Sequence, residues 1–267
     1  MTPSVLHHIR NATARLDIGA HRLIIDPMLS SAGAMPGFKM FGGGRRNNPL
    51  VELPANTDDL LRNATGVIIT HEHPDHIDQP GLDWIRQRDL PVWASRIDAP
   101  NLQKKGLNIR RLEAGLEGIQ AEVVPAKHGR GVLGWLMGHV SGLYLAPEGG
   151  PSIFFTSDAI WTPQLDATLH RLQPTYTVAP AGSANVGLGG DILFSVDELV
   201  ALTRATPGRV IFNHLEALDH CPTTRAGLKQ RLESEGLIDR CIIPEDGTSV
   251  ALASNEQLVV APAANPI

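Results

Sequence analysis

The sequence predicts an α/β layered domain, and three observations carry that prediction. Short β-branched apolar runs alternate with amphipathic stretches at helical spacing along most of the chain. With 42% hydrophobic and 19% charged residues, 267 residues supply enough apolar mass for a large core. No low-complexity linker interrupts the pattern, so residues 1–267 read as one domain.

The elements follow in order. "VLHHIRNATARLDI" and "HRLIIDP", on either side of Gly19-Ala20, read as two strands joined at a turn. "SSAGAMPGFKMFGGGRRNNPLVELP" has no sustained period and is rich in Gly, Pro and Asn, which predicts a long functional loop or lid. A short amphipathic stretch, "TDDLLRNA", leads into the strand "GVIIT". Strand and helix then alternate: helix "GLDWIRQRD", strand "PVWAS", helix "APNLQKKG", strand "AEVVPAKH". The strands "GLYLA" and "SIFFTSD" flank a turn at Pro147-Glu148-Gly149-Gly150. Helix "TPQLDATLHRL", strand "TYTVAP" and the Gly-rich loop "AGSANVGLGGD" come next. Helix "SVDELVALTRAT", strand "RVIFNH", helix "TTRAGLKQRLESEG" and strands "CIIPE" and "TSVALA" complete the chain.

Composition excludes several classes. A net charge of −5 without a basic stripe argues against a nucleic-acid partner. No apolar run reaches membrane-spanning length, and "MTPSVLHHIRNATARLDIG" lacks a secretory pattern. Two cysteines, Cys221 and Cys241, are too few for a disulfide framework and suit a reducing compartment, so the expected location is cytoplasmic.

The stretch "THEHPDHID", Thr70 to Asp78, is where chemistry concentrates. It packs three of the 11 histidines and three acidic residues into nine positions, directly after an apolar strand. Burying such groups without partners is expensive, and a metal ion is a partner that removes the cost. His71 and His73 alternate along an extended segment, Pro74 stiffens the loop, and Asp75 and His76 follow where the chain turns toward a helix. The two pairs can serve two neighbouring ions. Further candidates each stand just past a strand: His128 after "AEVVPAK", Asp158 after "SIFFTS" and His214 after "RVIFN". Asp158 could instead cap a helix starting near Ala159. His220, in "NHLEALDHCP", competes with His214 for the last position or faces the substrate. His7, His8, His21 and His170 read as structural, and His139 remains open.

This pattern resembles the metallo-β-lactamase-fold superfamily, with its H-x-H-x-D-H signature and single ligands after successive strands, in the family's order. The resemblance spans nearly the whole chain, including "ARLDIGAHRLIIDP" and "CIIPEDGTSVAL". It implies a four-layer αββα sandwich with a dinuclear site at the edge of the two sheets. Carried over, His71, His73 and His128 hold the first ion, Asp75, His76 and His214 the second, and Asp158 bridges them. The cofactors implied are two divalent metal ions, zinc foremost, with manganese or iron as alternatives. Paired ions polarise a substrate oxygen and lower the pKa of a shared water, which implies hydrolysis by a metal-activated hydroxide. Asp75 would orient that hydroxide or take its proton, and His220 is the second catalytic candidate.

Departures narrow the class. First-subclass β-lactamases of the fold carry a cysteine where Asp158 stands, and they are secreted. The superfamily's messenger-processing nucleases insert a domain between the Asp and the last His, and flavodiiron reductases place Glu at the second motif histidine. None of these features is present. The long loop, "GGGRRNNP" and "GSANVGLGGD" look most like the branch of ascorbate-6-phosphate lactonase and N-acyl phosphatidylethanolamine phosphodiesterases. The expected function is therefore hydrolysis of a small ester, lactone or phosphodiester. The alternatives are a nucleotide or nucleic-acid phosphodiesterase, or a non-catalytic metal-binding member of the fold. Arg45 and Arg46, beside three glycines, are substrate-binding candidates for an anionic small molecule. "VGLGG" lets the backbone pass close to the pocket, and Cys221 reads as a structural thiol. A homo-oligomer stays open.

Overall fold

The structure is a computed structural model that describes residues 4–187 and 189–253. Its elements are β1 (Ser4–Arg10), β2 (Thr13–Ile18), β3 (His21–Ile25), α1 (Thr57–Arg62), β4 (Gly66–Ile69), α2 (Gln79–Gln87), β5 (Pro91–Ala94), α3 (Ala99–Lys104) and β6 (Asn108–Arg111). They continue with β7 (Ile119–Ala126), α4 (Gly131–Leu136), β8 (Val140–Pro147), β9 (Ile153–Phe155), α5 (Pro163–Leu172), β10 (Tyr176–Pro180), α6 (Val196–Ala205), β11 (Arg209–Asn213), α7 (Arg225–Ser234), β12 (Cys241–Ile242) and β13 (Ser249–Leu252).

Two sheets form, in the orders β13-β1-β2-β3-β4-β5-β6 and β12-β11-β10-β9-β8-β7. Alternation decides what faces what. Ala14, Leu16 and Ile18 of β2 point into the core between the sheets, where they meet Leu143, Leu145, Tyr176 and Ile211 of the second sheet. β4 is apolar throughout because both of its faces are covered: Ile68 enters the inter-sheet core, while Val67 and Ile69 pack under α2 and α3 with Leu82, Ile85 and Leu102. Across the molecule, Val210 and Phe212 of β11 pack under α5, α6 and α7 against Leu169, Leu199, Leu202 and Leu228. Helix, sheet, sheet, helix is the four-layer αββα sandwich expected.

Local signals set the element ends. Asp78 caps α2 by accepting the Gly81 N–H at 2.8 Å, and its carboxylate also accepts the N–H groups of Leu29 (3.0 Å) and Ser30 (2.7 Å). The last acidic residue of the signature thus anchors the chain leaving β3. Gly81 is required there, since a Cβ would stand 2.0 Å from the Pro27 carbonyl oxygen. Ser195 and Glu198 close a capping box on α6.

Three features differ from the sequence reading. The opening run is two strands, not one: it breaks at Asn11, whose φ is +57°, so β1, β2 and β3 form a meander. β6, with its exposed "NIRR", and the short helix α4 carry too weak a pattern to read. The alternative role of Asp158 as a helix cap falls away: the helix expected in "TPQLDATLHRL" begins at Pro163, capped by Thr162, which accepts the Leu165 N–H at 3.1 Å.

Candidate metal centre

β3 and β4 are parallel, and so are β9, β10 and β11. β7 is antiparallel to β8, as β9 is, so β7 and β9 point the same way. The loops leaving β4, β7, β9 and β11 therefore meet at one edge of the sandwich. His71 and His73 leave β4 extended. His76 and Ile77 donate their N–H groups to the His73 carbonyl, a turn that swings Asp75 and His76 back toward the same point.

The side chains gather in two overlapping groups. His71, His73, His128 and Asp158 offer ligand atoms all within 4.8 Å of one another, and so do Asp75, His76, Asp158 and His214. Asp158 belongs to both. Its Oδ2 lies 3.5 Å from His128 Nε2 and 4.0 Å from His71 Nε2, and its Oδ1 lies 3.1 Å from His76 Nε2 and 3.9 Å from His214 Nε2. His214 Nε2 stands 3.3 Å from Asp75 Oδ2. The structure thus brings together the seven residues singled out as ligands. It leaves His220 outside both groups.

The outer partners fix which imidazole nitrogens carry protons. The Thr70 hydroxyl donates to Asp26 Oδ2 (2.7 Å), so it accepts from His71 Nδ1 (3.0 Å) and leaves His71 Nε2 as a lone pair. His73 Nε2 donates to the Met137 carbonyl (3.0 Å), which leaves its Nδ1 bare. His128 Nδ1 donates to the Ile192 carbonyl (2.7 Å) and His76 Nδ1 to Asp26 Oδ2 (2.8 Å). The bare nitrogens of His71 and His73 face each other at 3.1 Å, and His76 Nε2, His214 Nε2 and Asp158 Oδ1 are buried without a hydrogen-bond partner. Lone pairs crowded against carboxylates repel unless a cation stands among them. This acceptor-only arrangement, with the far nitrogens of His71, His73, His76 and His128 held by a hydroxyl, a carboxylate or carbonyls and that of His214 beside the Cys221 thiol, fits divalent metal ions.

The charges agree. Burial lowers the pKa of His71 well below its ordinary value and lowers that of His128, which keeps both neutral. Burial also opposes charge on His76, but Asp158 and Asp26 outweigh it and push the imidazole up to about 10. His214 is raised well above its usual range, burial being overcome by Asp158 and by its other neighbours, Cys221 and Asp75. Asp75 and Asp158 are held far below the carboxylate range, because His76 and His214 outweigh the effect of burial. Without metal, protons occupy the second group, and a cation entering there displaces them.

Above the groups lies a cavity of about 200 Å³, lined by Phe38, Pro74, Met137, Val186 and Ile192 and floored by His73, Asp75, His128 and Asp158, with His220 in its wall. The long loop supplies Phe38 and is firmly held. Asp219 accepts the N–H groups of Phe38 (2.9 Å) and Arg46 (3.2 Å) and the Asn48 amide (3.0 Å), while buried Arg10 donates to the carbonyls of Met28, Ser30 and Val51. Arg45 and Arg46 are exposed and stand outside the cavity lining, and Arg45 Nε donates back to the Gly37 carbonyl. Gly187 passes directly beneath Phe41, where a Cβ would stand 2.0 Å from that carbonyl oxygen, and this places Val186 in the wall. His139 bonds Ser141 and joins neither group.

Asp26 and Thr70, which orient His71 and His76, were not anticipated from the sequence. The only local signal was a carboxylate directly after the strand "RLII". Cys221, read as a structural thiol, is buried with its Sγ 3.5 Å from His214 Nδ1.

The αββα layers, with two histidine groups sharing one carboxylate at the sheet edge, define a metallo-β-lactamase-type fold. Residues 21–215 match the β-lactamase superfamily domain, and the chain belongs to that family. UPF0173 protein YddR of Bacillus subtilis is 28% identical over 246 residues, which cover 90% of this chain and 97% of the relative. The crystal structure of isothiocyanate hydrolase from Delia radicum gut bacteria superposes with a TM-score of 0.86 at 29% identity, covering 94% of this chain and 100% of that one. A possible metal-dependent hydrolase from Veillonella parvula gives 0.87 at 26% identity, with the same coverage. Among the described residues, no helix is long and apolar enough to cross a membrane.

Proposed function

We propose that this protein is a metal-dependent hydrolase of small uncharged electrophiles with an apolar substituent, isothiocyanates foremost. The observation that carries this reading is the cavity wall of Phe38, Met137, Val186 and Ile192 directly above the paired histidine groups. Among the described residues no lysine or arginine lines it, which favours an isothiocyanate, ester or lactone over a phosphodiester or nucleotide. The structural relative that hydrolyses isothiocyanates supports the same class. The ascorbate-6-phosphate lactonase branch, whose named substrate carries a phosphate, is the second reading, and its phosphate would have to reach Arg45 and Arg46, which stand on the long loop outside the cavity lining.

His71, His73, His128 and Asp158 would hold one divalent ion, and Asp75, His76, His214 and Asp158 the other, with zinc first among metals that suit imidazole and carboxylate donors. When bound, such ions polarise an electrophile and lower the pKa of water. Asp26, Thr70, Met137 and Ile192 hold the imidazoles in the ligating tautomer. The Asp75 carboxylate, on the cavity floor, accepts a hydrogen bond from the attacking water and orients it, while the apolar wall holds the substituent and excludes bulk water. For an isothiocyanate the balance is R–N=C=S + H₂O → R–NH₂ + COS: a C–O bond forms, the C–N bond breaks and the amine departs with both protons. Two buried unpaired cysteines suit a cytoplasmic setting.

The test is turnover of benzyl isothiocyanate, γ-butyrolactone, 4-nitrophenyl acetate and bis(4-nitrophenyl) phosphate by protein of measured metal content. Turnover of the isothiocyanate with release of benzylamine is expected. A preference for the phosphodiester sinks this reading.

A further inference from the structure

We infer that His220 is the substrate-binding hydrogen-bond donor of the cavity, holding the heteroatom of the substrate while the apolar wall holds its substituent. The inference rests on the hydrolase reading above and goes beyond it by naming the residue that positions the substrate.

The cavity is sharply divided in character. Its lining consists of apolar side chains, the members of the two histidine groups, and His220. Among the described residues His220 is thus the one polar side chain in the wall that does not belong to either group. It is only 6% exposed, its Nδ1 is fully buried without a hydrogen-bond partner, and its Nε2 makes no hydrogen bond among the described residues. The nearest carboxylate, Asp219, lies 3.9 Å from Nδ1, too far for a hydrogen bond, and is occupied by Phe38, Asn48 and Arg46. Buried polar groups are nearly always satisfied, so an imidazole left open beside a cavity is a group whose partner arrives with the ligand.

Its position is held rigidly. The Asn185 N–H donates to the His220 carbonyl at 2.9 Å, Cys221 N–H donates to the Leu218 carbonyl, and the Phe38 ring meets the imidazole edge-on at 5.3 Å between centroids. Asp219, one residue earlier, fastens the same turn to the long loop. Ring plane and cavity wall are therefore set by one construction. In any protonation state an imidazole has at least one N–H to offer. Within apolar walls that donor selects for molecules with an acceptor nitrogen, oxygen or sulfur near the electrophilic carbon. A site built to hydrogen-bond its substrate discriminates far more strongly than one built on shape alone.

The experiment compares His220→Leu and His220→Gln with the parent on benzyl isothiocyanate and 4-nitrophenyl acetate, with metal content and Tm measured on each preparation. The expected result is a loss of about 10- to 100-fold in kcat/KM for His220→Leu, in the range of a lost hydrogen bond that leaves a partner unpaired. Recovery to within about fivefold is expected for His220→Gln, whose amide restores a donor, with metal content unchanged in both. Parent-like turnover in His220→Leu overturns the inference alone. So does loss of metal in both variants, which would make His220 a ligand. So does equal damage in both variants with a lowered Tm, the mark of a structural role. A parent protein inert on both probes overturns the hydrolase reading, and this inference with it.

Discussion

Asp26→Asn is the most informative single change, because it leaves every proposed ligand in place. In the native protein Asp26 Oδ1 accepts the Thr70 N–H at 2.8 Å, and Oδ2 accepts from the Thr70 hydroxyl at 2.7 Å and from His76 Nδ1 at 2.8 Å. All three neighbours are donors. An asparagine must turn its NH₂ toward one side or the other, and on the His76 side it forces that imidazole to accept at Nδ1. The proton then moves to Nε2, the nitrogen aimed at Asp158, and His76 can no longer ligate. The backbone is not a confounding factor, since φ at Asp26 is +46° and asparagine tolerates the left-handed region as well as aspartate does. Removing such an outer partner weakens metal affinity about 10- to 100-fold, or about 1.4–2.7 kcal/mol. Stepwise chelator titration with metal analysis reads the two ions separately. The ion held by Asp75, His76 and His214 should leave at correspondingly lower chelator; the other, whose His71 is held through the same Thr70 hydroxyl, should loosen by less, because that hydroxyl keeps a lone pair for His71 Nδ1. Equal loosening of both ions, or of neither, refutes the tautomer argument.

Among the other expectations, His71→Ala and His76→Ala should each reduce two bound ions to one, from opposite groups, as read by metal analysis of protein purified without chelator. Full occupancy in either variant removes that residue from the ligand set. Asp219→Ala removes a carboxylate that organises the long loop, so unfolding in urea should show a loss of about 2–4 kcal/mol, with KM raised as Phe38 slackens. An unchanged midpoint would mean that the loop is held by Arg10 and Asn48 instead. A pH dependence follows from Asp246, where burial is outweighed by His8 and Arg225 and the carboxyl is held below its ordinary pKa. A depressed folded pKa gives stability that is complete above about 3.9, the unfolded value, and is lost as pH falls through the folded value. Tm should therefore fall less steeply below pH 4 in Asp246→Asn than in the parent, and parallel curves would show that the pairing contributes nothing.

The positions of the two histidine groups were legible because each depends on a local pattern: an apolar strand, then a histidine or aspartate at its C-terminal end. The layered fold was legible for the same reason, since periodicity reports which faces are buried. What depended on register was hidden. Asp26 reaches Thr70 and His76 only because Ile25 pairs with Ile68 in a parallel ladder, which places the residue after β3 beside the residue after β4. The carbonyls of Met137 and Ile192 leave no trace in side-chain chemistry, so nothing in the sequence could mark them as holders of His73 and His128. Likewise, a lining of Phe38, Met137, Val186 and Ile192 comes from segments far apart in the chain.

The turn between β1 and β2 shows why a missed element can be a functional one. "RNAT" contains neither glycine nor proline, so it reads as a continuous strand, yet Asn11 adopts φ +57°. Glycine would satisfy the backbone with less strain, but glycine has no amide. Asn11 Nδ2 donates to the Asp75 carbonyl at 3.0 Å, and the Asn11 carbonyl accepts the His214 N–H at 3.0 Å. His214 is itself left-handed, at φ +58°, so its backbone needs an external support. One residue therefore ties the signature loop to His214, which follows a strand of the other sheet. The geometry of the second histidine group depends on that side chain, and the sequence signal for a turn is weak here because a residue chosen for the site stands where a residue chosen for the turn would have been easier to read.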